Sequence, residues 1–81
     1  MINELLEQYK KEQKWHQKCI ILHLIHLGMV SENKGWRLRD TSLLVGISVA
    51  AVSEDLMIAE YIEELSDATS RNDALKRIKK L

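Results

Sequence analysis

Apolar side chains recur at helical spacing along the first third of the chain. At about 100° per residue, Ile2, Leu5, Leu6, Tyr9, His16, Ile20, His23, Leu24 and Leu27 fall on one face, which predicts a long N-terminal helix over 3–27. Up to Lys18 the opposite face is charged. From Cys19 to Leu27 the helix turns apolar nearly all round, with Ile21 and Ile25 opposite the main stripe, so its second half is expected to be enclosed. Gly28 is the expected helix stop. The stretch "GMVSENKGWR" over 28–37 reads as a loop rich in turn formers, with Trp36 packing back onto the core.

Beyond it, Leu38 to Val45 forms a short helix, Gly46 a tight turn, and Ser48 an N-cap for a third helix from Val49 to about Leu65. Val52, Leu56, Ala59 and Ile62 make one stripe of that helix. Ile58, Tyr61 and Leu65 make a second, so two neighbours are expected. "SRND" at Ser70–Asp73 fits a capping box opening a short basic helix over 71–81, docked through Leu75, Ile78 and Leu81. Together these elements predict an all-α fold: a small four-helix domain with a central helix-turn-helix over 38–65, spanning 1–81 as one unit. The absence of Pro and Phe and the dominance of Leu, Ile, Lys and Glu agree with that class.

The central hairpin has the residues that helix-turn-helix geometry requires. A small side chain in the first helix lets the second cross closely. A glycine four residues later allows a left-handed backbone, an apolar neighbour plugs the hinge, and a branched apolar residue fills the angle. Ser42, Gly46, Ile47 and Val52 stand at those positions.

Here the chain resembles a known family. "DTSLLVGISVAAVSEDL" is similar to the helix-turn-helix of prokaryotic and phage regulators, especially those like plasmid-partition DNA-binding domains, where a "TA-x-x-LGIS-x-x-x-VS-x-x-L" run is common. The resemblance covers about Trp36 to Ala59, with Ser42 in place of the usual Ala and Val45 in place of the usual Leu. "SRNDALKRIKK" more weakly resembles the basic helix that ends some phage-type proteins. The resemblance implies a second helix lying in the major groove of double-stranded DNA.

With Ile47, Val52 and Leu56 inward, Val49, Ala50, Ser53, Glu54 and Met57 face outward from that helix, beside the capping Ser48. Val49 and Ala50 suit a thymine methyl, Ser53 a phosphate or base edge, and Glu54 a cytosine amino group. That face has no cation. Phosphate anchoring is therefore expected from Arg37 and Arg39 at the start of the preceding helix, from Lys34 in the loop before it, and from Arg71, Lys76, Arg77, Lys79 and Lys80 at the basic end.

Charge explains why the grip must be local. The chain is neutral overall, but residues 1–30 carry net +1, 31–66 net −4 and 67–81 net +3. One copy is expected to bind weakly, and a homodimer or higher homo-oligomer through the N-terminal helix would double the phosphate contacts. The alternative is a helical interaction or assembly factor of the phage-packaging type, whose apolar and acidic outward face meets a protein.

Other chemistry finds little footing. Four ligands strung along one straight helix (His16, Cys19, His23 and His26) cannot converge on one metal ion, so interior histidines and a buried thiol are expected, with no metal and no cofactor. No nucleophile elbow, phosphate loop or catalytic carboxylate motif appears, so no enzymatic activity is expected. The single cysteine fits a reducing, cytoplasmic setting. Glu4 and Glu7 interrupt any signal peptide, and the apolar run Cys19–Val30 is too short for a membrane span.

Overall fold

A computed structural model describes residues 2–80 and contains five helices: α1 (Ile2–Lys11), α2 (Trp15–Glu32), α3 (Leu38–Val45), α4 (Val49–Glu60) and α5 (Arg71–Ile78). No strand occurs among the described residues, so the all-α class holds. The helix count is one higher than predicted because the expected helix over 3–27 is broken.

The break is local chemistry. The Glu12 carboxylate accepts from the backbone N–H groups of Gln13 and Lys14, each at 3.1 Å. Those bonds give the backbone a partner other than the helical ladder and supply the uncapped start of α2. A straight helix of that predicted length would reach roughly 38 Å, beyond the 33 Å longest dimension of the domain. Broken, α1 folds back on α2, and Ile2, Leu5, Leu6 and Tyr9 pack against Ile21, Leu22 and Ile25.

The break also resets the helical phase. In α2 the buried residues are Cys19, Ile21, Leu22 and Ile25. Leu24 and Leu27, predicted to share the buried stripe, are about half exposed at 49% and 51%. Gly28 does not stop α2, which runs on to Glu32. Its backbone is right-handed, so nothing there ends a helix. The stop is at Asn33, whose side chain and backbone N–H both donate to the Met29 carbonyl.

α4 ends at Glu60, short of the expected Leu65. Glu60, Glu63 and Glu64 would place like charges one turn apart at a helix C-terminus, against both the pair rule and the dipole. The chain turns there, yet Leu65 and Ala68 still reach the core beside Cys19, Ile58 and Ala74. α5 begins with Ser70 accepting from the Asp73 N–H and ends at Ile78, before the predicted Leu81, which lies outside the described residues. Leu75 and Ile78 dock as expected. α4 is the hub of the fold, packing on α2, α3 and α5.

No single helix among the described residues is long and apolar enough to cross a membrane. α3 and α4 reach that composition only as a pair bent by 101°.

Candidate nucleic-acid interface

α3 and α4 meet at 101° across the turn Gly46-Ile47-Ser48, within the roughly 90–120° and three-to-four-residue turn of a helix-turn-helix. Gly46 is left-handed, φ 79° and ψ 29°, and its N–H returns to the Ser42 carbonyl. Ser42 is buried and its hydroxyl donates to the Ile47 carbonyl. The small residue at the crossing thus also satisfies a turn carbonyl, which alanine could not do. Ser48 caps α4 by accepting from the Ala51 N–H at 3.1 Å. Val52, expected to fill the angle between the helices, is fully buried.

Behind the turn, Thr41 joins three elements. Its side chain is fully buried, the Trp36 indole donates to its hydroxyl at 2.8 Å, and His26 Nδ1 lies 2.6 Å from the same oxygen. Trp36 packs back as expected, held by a hydrogen bond as well as by its ring. Burial lowers the His26 pKa below its ordinary value, and the charge of nearby His23 lowers it further. These contacts tie the start of α3 to α2.

The outward residues of α4 fall where expected. Val49, Ala50 and Met57 are exposed, and Ser53 and Glu54 are half-buried. Arg37, Arg39 and Val49 border one open concavity with Trp36 and His26, so the two arginines stand beside the start of α4. Neither arginine is in an ion pair among the described residues. The Arg37 backbone N–H donates to Asp40 at 2.9 Å, which caps α3 and leaves the guanidinium free.

The basic end behaves differently. Arg71 donates through Nε to Asp55 at 2.7 Å and through Nη2 to Glu54 at 2.9 Å. Burial lowers its pKa, but the hydrogen bonds to Asp55 and Glu54 outweigh this and raise it. Asp55 is buried, its residue only 7% exposed, so it is not part of the outward face of α4. Arg77 pairs with Asp67 at 2.6 Å and Asp73 at 3.2 Å. Of the C-terminal cations expected on phosphate, Arg71 and Arg77 are engaged by acids, and Lys76, Lys79 and Lys80 are exposed and outside any ion pair among the described residues.

Two features escaped the sequence reading. The Arg71 clamp links residues 16 and 17 positions apart, a pairing no periodicity encodes. Leu43, on α3, is 76% exposed. Its position in "TSLLV" gave no sign of which of the two leucines would point outward.

Comparison with known families, curated proteins and solved structures found no match to this chain in any of the three.

Proposed function

We propose that this chain binds double-stranded DNA through its helix-turn-helix, as a small phage- or plasmid-type transcriptional regulator in the cytoplasm. The supporting observation is the bent pair itself. A left-handed glycine turn presents α4 with Val49, Ala50 and Met57 exposed and Ser53 half-buried, next to two unpaired arginines at the start of α3. Bases would meet α4, and phosphates Arg37, Arg39 and Lys76. Glu54 reaches toward a base only as the partner of Arg71, which partly neutralises it.

Two arginines and one lysine per copy are a thin electrostatic grip, so the reading includes self-association. The α1 stripe is already covered by α2, which removes the Ile2–Tyr9 face as the contact between copies. The uncovered apolar stripe is the outer side of α2, at Leu24, Leu27 and Val30.

A second reading draws on Leu43, Val49 and Met57, large apolar side chains exposed on α3 and α4. Such a face fits a protein partner, as in an assembly factor. Fluorescence anisotropy on random and genomic duplexes across a salt series separates the two. DNA binding predicts log-affinity falling with log-salt at a slope of about −3 for one copy and about −5 for a dimer, counting Arg37, Arg39 and Lys76. No binding at low salt favours the protein partner.

A further inference from the structure

An open cavity of about 240 Å³ lies where α1, α2, α4 and α5 meet beside the α3–α4 turn. Its walls include Tyr9, Trp15, Lys18, Ile47, Ala51 and Arg71, with buried Cys19 and Asp55 behind them. An apolar cavity of roughly 150 Å³ is already enough to hold benzene, so this one takes a one- or two-ring molecule. Tyr9 and Trp15 supply aromatic surface, and Ile47 and Ala51 supply aliphatic surface.

The charges around it select the occupant further. Asp55 is already matched by Arg71 at 2.7 Å. Lys18 stands without a carboxylate partner among the described residues, its ammonium 4.6 Å from the Tyr9 ring centroid. Arg71 also carries a terminal nitrogen, Nη1, that no hydrogen bond occupies. Lys18 is therefore the one charged side chain lining the cavity without an opposite partner among the described residues, and it stands beside an aromatic surface.

We propose that this cavity is a binding site for a small aromatic carboxylate, its ring between Tyr9 and Trp15 and its carboxylate on Lys18. A compact ring fits the volume, and a single negative charge balances the lysine. A cationic ligand would meet the unpaired Lys18, while the acids Asp55 and Glu54 are already engaged by Arg71. Because Ile47 belongs to the α3–α4 turn and Ala51 to the first turn of α4, the occupant touches both.

The test needs no DNA and so stands apart from the reading above. Benzoate and its neutral analogue benzyl alcohol are titrated into the full chain, and amide and indole chemical shifts are followed by NMR. Benzoate is expected to move Trp15, Ile47 and Ala51 saturably with about millimolar affinity, and benzyl alcohol to bind about tenfold more weakly. Lys18→Gln should bring benzoate down to the level of the alcohol. Ala51→Leu, which fills the cavity, should abolish both. Shifts that do not saturate or that map elsewhere overturn the proposal. So do equal affinities for acid and alcohol, or unchanged binding in Ala51→Leu.

Discussion

Two glycines in this chain should respond in opposite directions to the same substitution. Gly46 has φ 79°, and an added Cβ meets no neighbour, so its only cost is conformational. The left-handed backbone costs an L-residue about 1–2 kcal/mol. Stiffening of the unfolded chain offsets about 0.5 kcal/mol of that, leaving Gly46→Ala less stable by about 1 kcal/mol. Gly28 lies inside α2 with a right-handed backbone, and a Cβ there also meets nothing within 4 Å. Gly28→Ala should therefore stabilise by about 0.5–1 kcal/mol. In thermal melts each kilocalorie moves Tm by about 4–8 °C for a domain of this size, so the two variants should bracket the wild type. If Gly46→Ala is neutral or stabilising, the turn is not left-handed and the helix-turn-helix geometry fails. If Gly28→Ala is destabilising, the helix ends at Gly28 in a left-handed cap, as the sequence alone suggested.

Val52→Ala should cost about 1–3 kcal/mol in urea unfolding, because its methyls are buried with no solvent contact. Arg71→Ala should cost about 2 kcal/mol by the same measurement, since it strands a buried Asp55 carboxylate, whereas Lys76→Ala should stay within about 0.5 kcal/mol. Burial and His23 hold the folded His26 pKa below its ordinary 6.5, so the unfolded chain takes up a proton first as pH falls. Stability should decline as pH drops below about 6.5, until the folded His26 also protonates, and His26→Gln should flatten that decline.

The parts of the fold legible in the sequence were those fixed by local sterics. Ser42, Gly46 and Val52 carry their roles in their size and backbone freedom, and Ser48 and Ser70 cap helices from within four residues. The break after Lys11 was hidden because Glu12, Gln13 and Lys14 suit a solvated helix face as well as a turn. Only the Glu12 side chain's choice of backbone partners decides between them. Of the half-helix expected to be enclosed on all sides, Ile21 and Ile25 are buried as predicted, and Leu24 and Leu27 are left half exposed. Gly28 misled because glycine permits a helix stop without enforcing one. On the candidate interface, the outward set of α4 followed from periodicity. The fate of the cations did not, because Arg71 and Arg77 are engaged by acids on other elements or other turns. The acidic pair Glu54-Asp55, puzzling on a DNA-reading helix, separates in space: Asp55 is buried on Arg71 and contributes to the fold, and Glu54 alone remains near the outward face.

The claim that α4 reads DNA is tested most directly by Ala50→Glu. Ala50 is exposed in the first turn of α4, where an acid favours the helix dipole, so folding should stay within about 0.5 kcal/mol of the wild type. Anisotropy on a DNA duplex should then show binding by the wild type and none by Ala50→Glu, with Arg39→Ala weakening all sequences alike and flattening the salt slope. A folded Ala50→Glu variant that binds DNA as the wild type does would contradict the account.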